Sequence, residues 1–242
     1  MWGLRMTNTS DKKVMDAVLP IFLGKWDGDD FQYKTVTGTT FLIGKRGFAL
    51  TAAHVIDQIE VSGDDYAFGF LSDTFHWRAG RINSWEKHPT EDVAILKLSH
   101  AICPSWLVIQ PEPQHQSSVY DSWGYPISVA EQPKIYEENG QDRPELIYTN
   151  GYVRRRISRK LPISIYRGTS FYELSEIAGD GCSGGPVIQK STVGRLTWSV
   201  FGVYIGAAAG DFKSSYAVRC EAFSEWTPSL LTRSILEESQ DR

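Results

Sequence analysis

The stretch GDGCSGGP, residues 179–186, places two side chains that can attack a carbonyl carbon next to each other, Cys182 and Ser183. A serine hydroxyl is a weak nucleophile at neutral pH, so it needs a neighbouring base and a group that orients this base. His54 is the second-last residue of the turn FALTAAHV, and Asp92 opens the run DVAILKL. The chain therefore carries, in the order His, Asp, Ser, the residue types that nucleophilic acyl transfer requires.

The glycines around the two candidate nucleophiles favour Ser183. Two positions before Ser183 lies Gly181, whose N–H can point at a developing oxyanion. Two positions before Cys182 lies Asp180, whose negative charge would stand where negative charge must be stabilised. Cys182 remains an alternative nucleophile, and it predicts loss of activity in Cys182→Ser and survival in Ser183→Ala.

The elements that must position these residues are mainly β-strands. About a dozen short apolar runs, separated by turn signals, favour a barrel or sandwich over a parallel α/β sheet. Residues 110–118, rich in Pro and Gln, are interpreted as a join between two β halves. The segment TPSLLTRSILEE, residues 227–238, predicts a helix with Thr227 as its N-cap and Pro228 at its first position.

Three blocks, LTAAHV, EDVAILKL and GCSGGPV, resemble the signature blocks of the trypsin-like (chymotrypsin-fold) serine peptidases. GTTFLIGKRGFALTAAHV, WGYP and FGVYIGA are similar to further segments of that family, so the resemblance spans roughly residues 18–226. It implies that His54 is the general base, Asp92 its orienting carboxylate and Ser183 the nucleophile. The backbone N–H groups of Gly181 and Ser183 would form the oxyanion hole.

The resemblance also implies an all-β fold: two packed antiparallel six-stranded β-barrels of chymotrypsin type with a C-terminal α-helix. The active site would lie in the cleft between the barrels. The expected divisions of the chain are an N-terminal segment, an N-terminal barrel, a C-terminal barrel, and a C-terminal helix and tail; their ranges are residues 1–17, 18–115, 116–226 and 227–242.

The specificity pocket can be assigned only by counting along the family pattern. Six residues before Ser183 stands Ile177, which would form the pocket floor. The walls would come from Ile205, Gly206, Ala207 and Ser214 or Ser215. This set predicts a preference for a small or apolar P1 side chain, the residue on the amino side of the cleaved bond. A shift of one residue would bring Glu176 to the floor and favour Arg or Lys instead.

Cys182 occupies the position where trypsin-like enzymes usually carry an aspartate, which in the secreted zymogens pairs with a newly cut N-terminal amine. Cysteine cannot form that ion pair. We therefore expect a member of the non-zymogen type, whose oxyanion hole is shaped by packing. Cys182 itself is expected to be a small buried apolar residue, with a redox switch as the alternative.

Composition excludes several other functions. A net charge of −4 gives no reason to expect nucleic acid or an anionic membrane as a partner. The three cysteines, Cys103, Cys182 and Cys220, are too few for a disulfide-stapled secreted domain, and no signal-peptide pattern precedes the first apolar run. We expect a cytoplasmic protein with a protein or peptide substrate, a regulatory protein partner and no cofactor.

Two polar segments have plain interpretations. Glu60, Asp64 and Asp65 offer oxygen ligands, but their spacing matches no compact calcium loop, and we expect a solvated turn and no metal site. The run RRRISRK, residues 154–160, is expected to be a solvated strand edge, with an exosite for an acidic partner as the alternative.

The sequence thus predicts a serine endopeptidase that works through a Ser-His-Asp triad and an acyl-enzyme intermediate. The competing class is a catalytically silent trypsin-like fold that holds an extended peptide in the same cleft by strand addition.

Overall fold

β-Strands make up most of the structure, a computed structural model. It describes residues 14–71, 77–99, 105–130, 144–163, 165–190, 198–207 and 214–241. Cys103, one of the three cysteines considered above, lies outside the described residues.

The described strands, in chain order, are β1 (Val18–Asp27), β2 (Asp30–Ile43), β3 (Phe48–Thr51), β4 (Asp65–Leu71), β5 (Trp77–Lys87), β6 (Ala94–Leu98), β7 (Val108–Ile109), β8 (Val119–Gly124), β9 (Ile147–Ser158), β10 (Ser170–Leu174), β11 (Pro186–Lys190), β12 (Trp198–Ala207) and β13 (Ser215–Arg219). The described helices are α1 (Ala53–Ser62), α2 (Ile127–Ala130) and α3 (Ile235–Gln240), with a helical turn at residues 14–17 and a 3-10 turn at Cys220–Ala222.

The first six strands form a closed antiparallel barrel in the order β1-β2-β3-β6-β5-β4. Fully buried side chains occupy matching positions on adjacent strands: Phe41 pairs with Leu50, and Leu50 pairs with Ile95. Removing each such side chain from water contributes roughly 1.5–3 kcal/mol to folding. The side chains that point into the barrel therefore fix the register of these strands, since a slip by one residue would turn those side chains outward.

The second barrel follows the order β11-β8-β9-β10-β13-β12 and closes through the pairing of β11 with β12. Its interior is aromatic: Tyr172 and Phe201 are fully buried and meet edge to face with ring centroids 5.4 Å apart. The predicted fold class, two six-stranded antiparallel barrels with a short C-terminal helix, is confirmed.

β7 lies before residue 116, the predicted start of the second barrel, yet it pairs in parallel with β12 of that barrel. The C-terminal helix α3 holds it there, because the Ser239 hydroxyl accepts a hydrogen bond from the backbone N–H of Ile109 (3.1 Å). The same helix reaches the first barrel through Glu238, a fully buried carboxylate that accepts hydrogen bonds from Arg46 and Arg233.

The C-terminal helix begins at Ile235, seven residues after the predicted first helical position, Pro228. Ser234 is its N-cap and forms a capping box with Glu237. Residues 227–234 instead form turns and bends. Their polar groups bond to another part of the chain, since the Glu86 carboxylate accepts hydrogen bonds from the Leu230 N–H and the Ser229 hydroxyl. Among the described residues, no helix is long and apolar enough to cross a membrane.

Candidate active site

His54 stands at the start of α1, directly after β3, and is held by one carboxylate. Asp92 is fully buried, and its Oδ1 accepts the His54 backbone N–H at 2.9 Å while its Oδ2 lies 2.9 Å from His54 Nδ1. A carboxylate oxygen accepts hydrogen bonds, so Nδ1 carries the ring proton. The other ring nitrogen, Nε2, then keeps its lone pair and can take a proton.

The turn that presents Asp92 is shaped by His88. The His88 Nδ1 accepts the backbone N–H groups of Thr90 (3.2 Å) and Glu91 (3.0 Å), and its ring packs edge to face on Trp226 at 5.0 Å. Burial lowers the pKa of His88, so the neutral ring that can accept these bonds is favoured at neutral pH. His88 therefore packs against Trp226 and shapes the turn.

Ser183 comes from the second barrel, between β10 and β11, and the chain beside it lies against the turn that leads to His54. A Cβ added at Gly184 would come within 2.2 Å of the Thr51 hydroxyl and 3.0 Å of the Ala52 nitrogen. This contact places the chain next to Ser183 against the segment that leads to His54. Among the described residues, the Ser183 hydroxyl donates its hydrogen bond to the carbonyl of Ile205 (3.2 Å), not to His54.

Four consecutive backbone carbonyls in the turn around Ser183 accept hydrogen bonds. The carbonyls of residues 180, 181, 182 and 183 accept hydrogen bonds, in that order, from Ile127 N–H (2.8 Å), the Thr39 hydroxyl (2.8 Å), Gly185 N–H (2.9 Å) and Thr39 N–H (2.8 Å). No described residue accepts the N–H of Gly181 or Ser183. These two N–H groups, one on each side of Cys182, are the predicted oxyanion-hole donors.

The direction of both free N–H groups follows from the peptide plane. In a trans peptide the C=O and the following N–H point in opposite directions. Because the Asp180 carbonyl points at Ile127, the Gly181 N–H points away from it. Gly181 has φ = 91°, and a Cβ there would lie 2.5 Å from the Tyr125 carbonyl, so only glycine fits this conformation and this space.

Cys182 is buried, with 3% of its surface exposed, and its thiol donates to the Ala178 carbonyl at 3.1 Å. Burial, and then the charge of Asp180, raise the pKa of this thiol to about 12. The thiolate, which is the attacking form of cysteine, is therefore absent at neutral pH. Cys182 is a small buried side chain packed on Gly124, as expected from the sequence.

Tyr166 is a cleft residue that the sequence did not predict. Its ring lies 5.5 Å from the His54 ring, and its hydroxyl donates to the Ala207 carbonyl at 3.2 Å. Burial, and then the charge of Asp92, raise its pKa to about 12, so the hydroxyl keeps its proton as a donor. Tyr166 therefore bridges the histidine wall and the β12 wall of the cleft.

The segment that carries Tyr166 belongs to the second barrel but is tied to the first. The Arg167 guanidinium forms an ion pair with Asp57 on α1, one turn after His54. The Glu91 carboxylate, next to Asp92, accepts the backbone N–H groups of Thr169 (3.2 Å) and Ser170 (3.3 Å). These contacts join the two barrels at the mouth of the cleft.

The predicted pocket residues divide into two groups. Ile205, Gly206 and Ala207 lie together on β12, beside Ser183 and Tyr166. A Cβ at Gly206 would lie only 2.4 Å from the Tyr166 hydroxyl, so glycine is needed for this close approach. The predicted floor residue, Ile177, and the predicted wall residue Ser214 have other neighbours. Ile177 has 40% of its surface exposed, and the buried Ser214 hydroxyl donates to the Glu173 carboxylate (3.0 Å).

Beneath this region a polar cluster is fully hydrogen-bonded. The Tyr204 hydroxyl accepts the Ala178 N–H at 3.1 Å, and the Ser215 hydroxyl donates to the Glu176 carbonyl at 2.5 Å. Burial raises the pKa of Tyr204, which is 2% exposed, far above its usual range. The Glu176 side chain itself is exposed, so its carboxylate does not line a buried floor.

Other polar residues considered from the sequence have protein partners. Glu60 accepts from Trp85 and Lys87, Asp64 pairs with Lys34, and the Asp65 carboxylate accepts the N–H of Trp26. Within the described ranges, no group of three or more His, Cys, Asp or Glu side chains could hold a metal ion. In the basic run, Arg155 pairs with Glu173 and Arg156 with Glu221, which compensates part of its charge.

The sequence model of the trypsin-like peptidase domain matches residues 38–197, about two thirds of the chain. The chain belongs to this family. None of the curated proteins compared with it matches. Among solved structures it is similar to the inactive form of the Rv3671c protease of M. tuberculosis, with 22% identity and a TM-score of 0.57; the match covers 88% of this chain and 87% of that one.

Two further solved structures share the fold of this trypsin-like domain. The MamO protease domain of Magnetospirillum magneticum has 13% identity and a TM-score of 0.59, with 87% of this chain and 95% of that one covered. The HtrA-type protease AlgW, solved with a decapeptide, has 14% identity and a TM-score of 0.58, with 88% and 63% covered.

Family membership does not account for every residue in the cleft. The trypsin-like motifs contain His54, Asp92 and Ser183, and the resemblance of these motifs to the family leads to them. Tyr166 lies in the loop before β10, where no motif marks it. Thr39 is visible only as the middle residue of GTT, a pattern that by itself does not distinguish it from an ordinary strand residue.

Proposed function

We propose that this trypsin-like protein is a serine endopeptidase, with Ser183 as nucleophile, His54 as general base and Asp92 as the carboxylate that orients it. One observation supports the proposal: the fully buried Asp92 binds both the backbone and the ring of His54 at 2.9 Å, which leaves Nε2 as the ring nitrogen that can accept a proton. This arrangement matches what a serine hydroxyl needs for activation.

In the first half-reaction the Ser183 oxygen attacks the substrate carbonyl carbon and passes its proton to His54. The negative charge that develops on the carbonyl oxygen is stabilised by the free N–H groups of Gly181 and Ser183. As the C–N bond breaks, His54 gives the proton to the leaving amine. Water then attacks the acyl-enzyme, with His54 accepting and returning a proton in the same way.

The hydrogen bond of Ser183 gives β12 a second role. The Ser183 hydroxyl is bonded to the Ile205 carbonyl, and the Tyr166 hydroxyl to the Ala207 carbonyl, so both acceptors point into the cleft. An extended peptide that adds along this edge offers N–H groups to the same carbonyls. Its binding would release the Ser183 hydroxyl to rotate about its Cα–Cβ bond toward His54, which makes a protein or peptide the expected substrate.

A small or apolar P1 residue is the preference that we propose. Beneath the β12 wall, Tyr204 and Ser215 bond to Ala178 and the Glu176 carbonyl, and these two neutral side chains offer no charge to a cationic side chain. The exposed side chain of Glu176 is consistent with this preference, since an acidic floor would require the carboxylate to be turned inward.

A second candidate function is a catalytically silent fold that binds peptides in the same cleft. The hydrogen bond from Ser183 to Ile205, in place of one to His54, favours it. The two candidates predict the same peptide binding but differ in whether the peptide bond breaks.

The test is incubation of the protein with a P1-varied peptide library, with cleavage read by mass spectrometry and Ser183→Ala as the control. We expect cleavage after small or apolar residues by the wild type and none by the variant. A strong preference for Arg or Lys would contradict the proposed specificity. Binding of the peptides without cleavage by the wild type would favour the silent fold.

A further inference from the structure

Thr39 of the first barrel contacts the nucleophile turn of the second barrel through its side chain and its backbone. It is fully buried on β2. Its N–H donates to the Ser183 carbonyl at 2.8 Å, and its hydroxyl donates to the Gly181 carbonyl at 2.8 Å. The same hydroxyl accepts the Tyr125 N–H at 3.0 Å, so one oxygen joins the turn to the chain after β8.

The strand pairing leaves the backbone of Thr39 available for these contacts. Its partner on β1 is Pro20, which has no N–H and donates nothing to the Thr39 carbonyl. The β2–β3 pairing starts two residues later, at Phe41. The Thr39 carbonyl instead accepts the Thr51 hydroxyl at 2.7 Å, which fixes Thr39 to the turn that leads to His54.

These bonds act on the two peptide units that follow the oxyanion-hole donors. Holding the carbonyls of Gly181 and Ser183 fixes the rotation of the chain on both sides of Cys182. The Cys182 side chain cannot do this work, because its thiol is turned to Ala178 and carries no charge. Without the Thr39 hydroxyl, the Gly181 carbonyl would lose the donor that holds it, and the turn would rearrange to satisfy this buried acceptor.

We propose that Thr39 is a positioning residue for the oxyanion hole. Its hydroxyl belongs to the first barrel and holds the nucleophile turn of the second barrel. The inference rests on the proposed function, because it concerns the rate at which Ser183 reacts. It is more specific than a role in folding: the hydroxyl orients the Gly181 N–H for the transition state and leaves the binding of the ground state unchanged.

The experiment measures reaction of the full chain with an alkyl fluorophosphonate, which forms a bond from the Ser183 oxygen to phosphorus with loss of fluoride. The limiting rate and the half-saturating concentration are determined for wild type, Thr39→Val, Thr39→Ser and Thr40→Val. Thr40 is the matched control, since it is equally buried and its hydroxyl bonds to the Leu50 carbonyl (2.8 Å) inside the first barrel. Thermal unfolding is recorded for each variant.

We expect Thr39→Val to lower the limiting rate by about 10- to 100-fold, somewhat less than deletion of an oxyanion donor, with the half-saturating concentration unchanged. Thr39→Ser keeps the hydroxyl and should react at the wild-type rate. Thr40→Val should also react like wild type, even if its unfolding temperature is lowered as much as that of Thr39→Val. Equal rates for Thr39→Val and Thr40→Val would overturn the inference alone. A folded wild type that does not react would overturn both the inference and the proposed function.

If Thr39→Val does not fold, Thr39→Ala removes the same hydroxyl without adding a methyl group in its place. The same comparison with Thr40→Val then decides: a slow Thr39→Ala that binds the reagent normally supports the inference, and an Ala variant as fast as the control contradicts it.

Discussion

The two walls of the cleft are built by different means. On the first-barrel wall, one carboxylate of Asp92 fixes the backbone and the ring of His54, so side-chain identity determines the geometry. On the second-barrel wall, the turn around Ser183 is fixed by four backbone carbonyls whose donors come from Thr39, Ile127 and Gly185. The proposed acid–base pair is thus held within the first barrel, whereas the turn of the proposed oxyanion hole is held in part by Thr39, which belongs to the other barrel.

This difference predicts which step of the reaction a substitution on each wall should impair. Changes on the histidine wall should alter proton transfer while the turn stays intact. Changes on the serine wall should alter the placement of backbone N–H groups while the histidine and its carboxylate stay paired.

The largest effect is expected on the histidine wall, from Asp92→Asn. An amide in place of the carboxylate can donate to His54 Nδ1 and so favour the ring tautomer with its proton on the wrong nitrogen. By analogy with other Ser-His-Asp sites, we expect hydrolysis of the best library peptide to fall by about 10⁴-fold in kcat. The variant should keep its affinity for that peptide, and a loss below about tenfold would remove Asp92 from the proposed mechanism.

On the serine wall, Gly181→Ala should reduce kcat by about 10²-fold or more, as expected when an oxyanion donor is displaced. The added Cβ would lie 2.5 Å from the Tyr125 carbonyl in a backbone conformation with φ = 91°. Gly63→Ala is the matched control: Gly63 also has positive φ (66°) but open space around its Cβ position. If both variants hydrolysed the peptide equally well, the turn would not be the rigid element described here.

A smaller effect is expected where the two walls meet, at Tyr166. Tyr166→Phe removes the hydroxyl that occupies the Ala207 carbonyl and keeps the ring beside His54. Because a substrate N–H competes for the same carbonyl, we expect KM for peptides that extend several residues before the cleaved bond to fall about two- to fivefold, with kcat unchanged, in line with one neutral hydrogen bond. A raised KM would instead make the hydroxyl a substrate contact.

The smallest effect on activity is expected from Cys182→Ala, since the thiol touches neither wall's reacting groups and donates only to the Ala178 carbonyl. Its pKa, raised to about 12 from 9.0, also gives a pH test. The unfolded chain releases the thiol proton above pH 9 while the folded chain keeps it, so this group's contribution to stability is complete below pH 9 and is lost as pH rises toward 12.

The corresponding measurement is iodoacetamide alkylation at pH 8, read at Cys182 by peptide mass spectrometry. We expect alkylation to be slow in the folded protein and rapid in urea. Fast alkylation of the folded protein, accompanied by loss of activity, would support the redox-switch alternative.

The same contrast explains what could be predicted from the sequence. The β runs and the three family blocks were sufficient to predict the two barrels. The blocks also contain His54, Asp92 and Ser183, whose catalytic roles stay predictions. Tyr166 and Thr39 act through contacts across the barrel interface, and residue spacing carries no record of such contacts. The predicted start of the last helix was wrong for a similar reason, since the Glu86 carboxylate on β5 takes the polar groups of the preceding turn. The cytoplasmic location and a regulatory partner stay predictions.

The proposed nucleophile is tested most directly by the position of the covalent adduct after fluorophosphonate treatment, mapped by peptide mass spectrometry on wild type, Cys182→Ala and Ser183→Ala. We expect an adduct on Ser183 in the wild type and in Cys182→Ala, and none in Ser183→Ala. An adduct on Cys182, or a folded wild type with no adduct, would contradict the proposal.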